Sequence, residues 1–441
     1  MELVKAPEVV VVVTKQTANR ASVRVLFLAV LFLATSVKAW AKNSFTLLLN
    51  TFTQNSSTGK QVVDNSGNEN MTVFEPAVFF STSIDSHTNI SISAMYDAWS
   101  GASDHIFNST TSASGKSSAG TLLTSASTPT TGTTPTTGTT GGTPSSSSST
   151  GAKSGDASDS TYQTRKAFNI GSTSKYGKWE LSPRFGVSFE QDYKSYNGGL
   201  NVSRTFAEEN FVISAGYQRF QDSVYAFDIA TGVFTKWVDK TTDAFDFSVS
   251  QLLSASDVLL LGYGHTLQQG RLRTEMNTVN TNNILASGLP ERIQEFMPET
   301  RSRDYGLLRF MHGWSDVVST GVDYRIYSDS WGISANSIEP NLTFDINDDA
   351  GFVRFGYRYH QQAKTDYYTE VATKGMAYFT SDSDLAALSS NEVSVLTNYS
   401  FDVGGRNSDI KSIDVGFGAS WYSRSNGLTG TIVQGSLGAS F

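Results

Sequence analysis

Histidine, cysteine and serine are the residue types that would most often supply catalytic or metal chemistry in a chain of this kind. The five histidines, at positions 87, 105, 265, 312 and 360, lie in separate segments and lack the spacing of metal ligands. The chain contains no cysteine and no Gly-x-Ser-x-Gly elbow, so the usual thiolate and serine-nucleophile motifs are missing. The acidic segments 64–70 and 347–349 lack the full pattern of a calcium loop. We therefore predict no enzymatic activity, no metal site and no cofactor.

Charged side chains that alternate with apolar ones form a second chemical pattern. Around Arg354 and Arg358, the intervening Phe355 and Tyr357 form an apolar face, because neighbouring residues of a strand point to opposite sides of its sheet. An Arg or Lys that faces lipid at the bilayer midplane costs about 2–4 kcal/mol, so in a membrane barrel the charged face must line the lumen. The predicted lumen-lining residues are Arg184, Glu190, Asp246, Arg309, Asp323, Arg325, Glu339, Asp345, Arg354 and Arg358.

A lumen that carries both signs of charge is compatible with two functions. Separated arginine and acidic clusters would create a transverse field that orients polar solutes in a diffusion channel. Arginine and carboxylate groups that pair directly would instead fill the lumen with a salt-bridge network of little conductance. The sequence leaves both functions open.

Another set of polar and aromatic residues falls at predicted strand ends, on the outer rim of the expected barrel. Aromatic residues at that level suit the interfacial girdle of a membrane barrel, and Arg325 with Asp329 is a candidate ion pair there. We favour a solvated structural rim over a ligand site. The predicted rim residues are Asp97, Asp192, Asp329 and Trp331.

The elements that must position these residues are strands, most clearly at the C-terminus. From Ile413 to Trp421 apolar residues alternate with small or polar ones, and this period of two indicates a strand. The chain ends on the aromatic Phe441, which resembles the closing strand of bacterial outer-membrane barrels. About sixteen such segments occur, many of them ten residues or longer, as a tilted transmembrane strand requires. They are 44–54, 71–83, 89–98, 163–171, 179–193, 197–206, 210–222, 242–254, 258–268, 301–313, 316–328, 334–347, 351–363, 392–402, 411–424 and 428–441.

Connection lengths alternate along the chain. Counted from the first strand, the even-numbered connections are short, whereas every long one is odd-numbered. Outer-membrane barrels have this pattern, with tight turns at the periplasmic end and long loops outside. Apolar residues in the last two long connections indicate that these fold over or into the barrel mouth. The predicted long connections are 55–70, 99–162, 223–241, 269–300 and 364–391.

The N-terminal region and the composition limit the class of protein further. Basic residues precede the uncharged run 25–37, and Ala39-Trp40-Ala41 follows it, which predicts a secretory signal over 1–41. Without that segment, 33 − 5 = 28 Lys and Arg remain against 41 − 2 = 39 Asp and Glu, an acidic balance that argues against nucleic acid as a partner.

Segment 108–160 is nearly all Ser, Thr, Gly, Ala and Pro, so we predict a disordered loop there.

Five ordered motifs resemble a family of predicted outer-membrane β-barrels that is catalogued as a domain of unknown function. They are DAWSGAS (97–103), SFEQDYKSYNGGL (188–200), YRIYSDSWGIS (324–334), YRYHQQAKTDYY (357–368) and YFTSDSDLAALSS (378–390). The resemblance covers roughly 75–441 and implies fold and location but no established activity. It also implies, as an alternative, a role in an envelope complex linked to redox chemistry or assembly.

Together these patterns predict an all-β protein, a transmembrane antiparallel up-and-down β-barrel of about sixteen strands over 42–441, in the outer membrane of a Gram-negative bacterium. The function that we favour is a porin-like channel or solute-binding barrel with an Arg/acid-lined lumen. The alternative is a non-conducting structural or assembly barrel. Expected partners are outer-membrane lipid, the barrel-insertion machinery through the C-terminal strand and a small solute, with no nucleic acid.

Overall fold

The structure is a computed structural model, and it describes residues 43–55, 71–101, 162–228, 231–275, 277–286, 288, 290–347, 350–404 and 409–441. The predicted signal segment 1–41 and the predicted disordered loop 108–160 lie outside these residues. Within them, no helix is long and apolar enough to cross a lipid bilayer.

Nineteen strands occur among the residues that the structure describes. In chain order they are β1 Asn43–Asn55, β2 Met71–Ser83, β3 Thr88–Gly101, β4 Tyr162–Tyr176, β5 Trp179–Phe189, β6 Tyr193–Phe206, β7 Phe211–Asp228, β8 Val233–Leu252, β9 Asp257–Gly270, β10 Thr278–Ile284, β11 Pro290–Gln294, β12 Thr300–Gly313, β13 Val318–Asp329, β14 Ser334–Ile346, β15 Gly351–Gln362, β16 Val371–Ala372, β17 Leu388–Asp402, β18 Ser412–Arg424 and β19 Thr429–Ser440.

Sixteen of these strands close into one antiparallel barrel, and β10, β11 and β16 form a separate three-stranded sheet. Each barrel strand pairs with its neighbours along the chain, and β1 pairs with β19 to close the ring. At the closure the Asn43 amide donates to the Phe441 carbonyl at 3.0 Å, and the Phe441 amide donates to the Asn43 carbonyl at 2.9 Å. A closed ring leaves no strand edge unpaired, which a lipid environment requires. The predicted all-β barrel of about sixteen strands is confirmed.

The two ends of the barrel differ in the length of their connections. One end, the short-turn end, carries only the connections 84–87, 177–178, 207–210, 253–256, 314–317, 347–350 and 403–411. The opposite end, the long-loop end, carries 56–70, 102–161, 271–299 and 363–387 together with four short turns. The predicted alternation of connection lengths is therefore confirmed.

One predicted long connection, 223–241, is wrong. β7 and β8 continue through it, so that only residues 229–232 separate the two strands. On this extension Tyr225 stacks on Trp237 and on Phe234 with ring centroids 4.9 and 5.0 Å apart. These cross-strand aromatic pairs stabilise the hairpin.

The outer face of the barrel is an apolar band with aromatic residues at both borders. Phe185 is 62% exposed and Leu437 53% exposed, as residues that face lipid would be. Such side chains in contact with hydrocarbon are typical of a transmembrane barrel. The exposed aromatics near the long-loop end include Tyr196, Tyr217, Tyr263, Tyr324 and Tyr357, and those near the short-turn end include Trp179, Trp314 and Phe401.

Candidate functional site

The lumen is lined by the strand residues whose neighbours on the outer face are the exposed apolar ones. Of the ten predicted lumen-lining residues, nine lie in barrel strands with an exposed hydrophobic residue directly before or after them. The tenth, Glu190, follows β5 in the turn 190–192, so it lies at the long-loop end of the barrel. The nine are Arg184, Asp246, Arg309, Asp323, Arg325, Glu339, Asp345, Arg354 and Arg358.

Several long luminal side chains lie flat along the wall. Tyr305 lies across Gly264, where an added Cβ would be 2.1 Å from the tyrosine ring, and its hydroxyl donates to Asp246 Oδ1 at 2.5 Å. Arg184 similarly lies across Gly199, whose added Cβ would be 3.1 Å from Arg184 Nε. Glycine at these positions lets a neighbouring side chain approach the backbone closely. Side chains held in this way do not fill the axis of the barrel.

Midway down the wall, charged residues of neighbouring strands form a ladder. Arg309 donates from Nε and Nη2 to the two carboxylate oxygens of Asp323 at 2.7 and 2.6 Å. Glu339 lies close enough to interact with Asp323, Arg309 and Arg358. This arrangement keeps opposite charges adjacent in a polar lumen, with both members of the Arg309–Asp323 pair partly exposed. Nearer the short-turn end, Arg354 Nε donates to the Thr343 hydroxyl at 2.9 Å.

The connections 271–299 and 363–387 fold together into one layer at the long-loop end, here called the loop cap. The hairpin of β10 and β11 pairs with β16 of the second connection, and Phe296 exchanges two backbone hydrogen bonds with Phe379 at 3.1 and 2.8 Å. Glu295 accepts from the Thr274 amide at 2.5 Å and from the Thr380 hydroxyl at 2.6 Å. One carboxylate therefore joins both connections.

The loop cap is attached to the barrel wall by side-chain and backbone hydrogen bonds. Arg424 Nη1 donates to Asp384 Oδ1 at 2.6 Å, and Gln362 Nε2 donates to the carbonyls of Asp384 and Ala386 at 2.8 Å. On the far side, the Phe227 amide donates to Glu275 Oε2 at 2.8 Å. These attachments reach from β7 to β18 around the ring, so the cap covers that part of the mouth.

An apolar core fixes the loop cap against the turn 330–333. Leu272, Met297 and Leu385 of the cap pack with Trp331 and Ile333, and all five are at most 8% exposed. The predicted folding of the two connections at the mouth is thus observed. Of their apolar residues, Tyr367 packs against this core, whereas Leu285, Phe296 and Tyr378 remain 39–50% exposed.

Asp329 and Trp331, predicted as solvated rim residues, are buried beneath the loop cap. Asp329 Oδ2 accepts from Arg301 Nε at 2.9 Å and from the Tyr327 hydroxyl at 2.9 Å, and Oδ1 accepts from the Trp331 and Ile333 amides at 3.0 Å. Its salt-bridge partner is therefore Arg301 rather than the predicted Arg325. The cap shields the salt bridge between Asp329 and Arg301 from solvent. The Arg301 guanidinium also stacks on Trp331, 4.3 Å from its ring centroid.

The other two predicted rim residues differ from each other. Asp192 lies in the turn 190–192 and is only 4% exposed, so it too is buried instead of solvated. Burial, followed by the charge of Glu190, raises the pKa of Asp192 to about 7. Asp97 belongs to β3, but its side chain lies outside the described part of the structure.

Two carboxyl groups of the loop cap have raised pKa values. Burial raises the pKa of Glu295 above its usual range, although its hydrogen bonds from Thr380 and Thr274 oppose that shift. Burial, and next the charge of Asp384, raises the pKa of Asp382 well above the usual range. The cap therefore concentrates acidic groups that resist ionisation. No cluster of His, Asp or Glu suited to a metal ion occurs among the described residues.

A family model described as protein of unknown function (DUF3570) matches residues 25–439. The chain belongs to this family. The predicted resemblance to an uncharacterised barrel family is thus confirmed. A search of curated proteins gave no match.

Three solved structures illustrate the similarity of fold. OccK1 (OpdK) of Pseudomonas aeruginosa is 9% identical, with a TM-score of 0.39 over 91% of this chain and 98% of that chain. OccAB1 of Acinetobacter baumannii is 7% identical, with a TM-score of 0.39 over 91% and 97%. A bacterial polysaccharide outer membrane secretin is 7% identical, with a TM-score of 0.44 over 90% and 98%. The architecture described above follows from the strand pairing of this chain itself.

Proposed function

We propose that this DUF3570 protein is an outer-membrane channel for small polar solutes, with the loop cap as the restrictive element of its mouth. The Arg309–Asp323 pair carries the proposal. Its side chains are 46% and 21% exposed, and they belong to the luminal face because Leu308 and Phe310 occupy the outer face of the same strand. Charged groups that contact solvent inside a closed barrel indicate a hydrated interior, which a solute path requires.

The width of the barrel and the form of its wall support the same function. Barrels of 16 or more strands leave room for an aqueous channel, and Tyr305 and Arg184 lie along the wall instead of across the lumen. Both signs of charge on that wall suit polar solutes. In this proposal the long-loop end faces outside, lipid contacts the apolar band, and the insertion machinery recognises the C-terminal strand β19 together with Phe441.

Single-channel recording with thiol probes tests the proposal, because the chain has no cysteine of its own. Glu339→Cys places a thiol on the lumen, and the adjacent Ile338→Cys places one on the outer face, where Ile338 is 42% exposed. We expect stable current steps from the folded barrel, and a charged thiol reagent that reduces the current of Glu339→Cys only. Equal effects on both variants, or silence from a barrel whose gel mobility shifts on heating, would contradict the channel.

A second candidate function follows from the loop cap itself. A mouth covered by an apolar core and a buried ion pair is also what a non-conducting structural or assembly barrel would have. The same recordings separate the two functions. A silent native barrel that begins to conduct after Trp331→Ala, which removes the centre of the cap core, would favour the plugged barrel.

A further inference from the structure

A groove lies on the outer face of the barrel at the long-loop end, across β13, β14 and β15. Its volume is about 460 Å³, and its lining includes Tyr324 and Ile326 of β13, Asn336 of β14 and Gln361 of β15. Tyr324 is 43% exposed and Ile326 is 53% exposed, and both belong to the face that carries the apolar band. The groove is therefore continuous with the surface that contacts lipid.

The polar part of the groove lies just beyond the aromatic border of the band. Ile326 pairs with Asn336, and Asn336 pairs with Gln361, so the three residues form one row across adjacent strands. The row lies two residues beyond Tyr324 towards the loops, which is about 7 Å along a strand. The head-group layer on each side of a bilayer has about this depth. The row thus lies at the level of lipid head groups.

The chemistry of the groove is polar but uncharged. All nine residues that line it belong to the described part of the chain, and none of them is charged. The side-chain amides of Asn336 and Gln361 have no hydrogen-bond partner among the residues that the structure describes, although each amide offers donors and an acceptor. Neutral groups of this kind match the hydroxyl groups of a sugar, whereas proteins usually recognise phosphate with Arg or Lys.

The groove also reaches both ends of one connection of the loop cap. Ala363 and Ala387, the first and last residues of the connection 363–387, form part of its lining. The Ala363 amide donates to the Ser334 carbonyl at 2.8 Å, which continues the strand pairing to this edge of the groove. A head group in the groove would therefore touch the barrel wall and the cap together.

We infer that this groove binds the sugar head group of an outer-leaflet glycolipid, and that the bound lipid fastens the loop cap to the wall. The inference rests on the orientation given in the proposed function, with the long-loop end outside, and it does not require conduction. Glycolipids are the main lipids of the outer leaflet of Gram-negative outer membranes. A membrane lipid is favoured over a free sugar because the groove continues the lipid-facing band at Tyr324 and Ile326.

Native mass spectrometry of the folded barrel in detergent, titrated with a lipopolysaccharide that carries a short sugar chain, measures the binding. Asn336→Ala and Gln361→Ala should each weaken binding about five-fold, because each removes a hydrogen bond between neutral groups. Ala387→Trp should abolish binding by filling the groove. The matched control is Gln221→Ala, which should leave binding unchanged, because Gln221 of β7 is an exposed residue of the outer face at the same end.

A second readout tests the fastening of the cap. The same lipopolysaccharide should slow limited proteolysis of the connection 363–387 in the native barrel and in Gln221→Ala. It should not do so in the variant that combines Asn336→Ala with Gln361→Ala. Equal slowing in all three proteins would overturn the role of the lipid in fastening the cap.

The remaining outcomes separate the groove from its chemistry and from the orientation. Unchanged affinity in both amide variants would overturn the groove as the site. A loss confined to Lys364→Ala, which removes the exposed ammonium next to Ala363, would overturn the sugar assignment in favour of a phosphate. Val233→Cys places a thiol on the hairpin of β7 and β8. If a membrane-impermeant reagent labelled this thiol only after cell lysis, the proposed orientation would be overturned, whatever the barrel binds in detergent.

Discussion

Two arginine–aspartate pairs on the same two strands show how the halves of this lumen differ. Arg301 and Arg309 both belong to β12, and their partners Asp329 and Asp323 both belong to β13. In each pair the arginine donates from Nε and Nη2. The side chains of the first pair are fully buried, whereas those of the second are 46% and 21% exposed. The chemistry is the same, and only the environment changes.

The difference comes from the loop cap. At the long-loop end, Trp331 and the cap exclude solvent from the first pair, so each charge depends on the other and on the hydrogen bonds around Asp329. Breaking a buried pair leaves one charge without compensation and costs about 3–5 kcal/mol. An exposed pair is worth about 0–1 kcal/mol. The first pair is therefore part of a structural interior, whereas the second contacts solvent.

The largest expected effect is that of Arg301→Ala. It leaves the Asp329 carboxylate buried and should reduce the free energy of unfolding by about 3–5 kcal/mol. Arg309→Ala is the matched control and should reduce it by about 1 kcal/mol or less. Urea unfolding of the barrel in lipid vesicles, followed by tryptophan fluorescence, measures both. Equal losses for the two variants would show that the cap does not exclude solvent from Arg301.

A comparable effect is expected at Trp331, which is 2% exposed in the cap core. Trp331→Ala should destabilise the cap by about 3–5 kcal/mol, because it removes a large buried side chain. Trp314, at the short-turn end, is 68% exposed, and Trp314→Ala should stay within about 1 kcal/mol. Limited proteolysis of the connections 271–299 and 363–387 reports on the cap directly. Unchanged cleavage in Trp331→Ala would rule out the packing role of this indole.

A change of pH should have an intermediate effect on stability, with opposite signs for a carboxyl group at each end of the barrel. Burial raises the pKa of Asp192 to about 7, so the stability that it contributes is complete below the unfolded value of about 3.9 and is lost as pH rises towards 7. At the short-turn end, amide hydrogen bonds from His87 and Thr88 lower the pKa of Asp85, so its contribution is lost as pH falls.

Carboxyl NMR titration reports the pKa values of Asp192 and Asp85. Stability curves of Asp192→Asn and Asp85→Asn against pH then measure what each carboxyl group contributes. Asp192→Asn should remove the loss of stability between about pH 4 and 7. A titration of Asp192 at the ordinary aspartate value would show that the turn 190–192 is open to solvent.

The smallest expected effect is the response to salt. The contribution of the exposed Arg309–Asp323 pair should shrink as ionic strength increases from about 0.1 to 1 M, because the screening length falls from about 10 to 3 Å. The penalty of Arg301→Ala should change little over the same range. Parallel urea titrations at both salt concentrations compare the two, and a strong salt effect on Arg301→Ala would contradict its burial.

The barrel itself was predictable, whereas the loop cap was only partly so. Alternation over ten or more residues indicates both a strand and the side that each residue faces, so the place of Arg354 in β15, next to the exposed Phe355, followed from local pattern. The partner of Asp329 did not, because Arg301 is 28 residues away along the chain and two β12 arginines lie near it. Glu295 and Leu385 lie in segments without regular periodicity, and only the folded contact between the two connections gives them a role.

The contact between Tyr305 and Gly264 has a consequence for how the width of the lumen can change. A single methyl group at position 264 would occupy the place of the tyrosine ring and force it away from the wall towards the axis. One nucleotide change could thus narrow the passage without altering a strand, a charge or a loop. The width of the lumen can therefore be set by small wall residues as well as by the side chains that project into it.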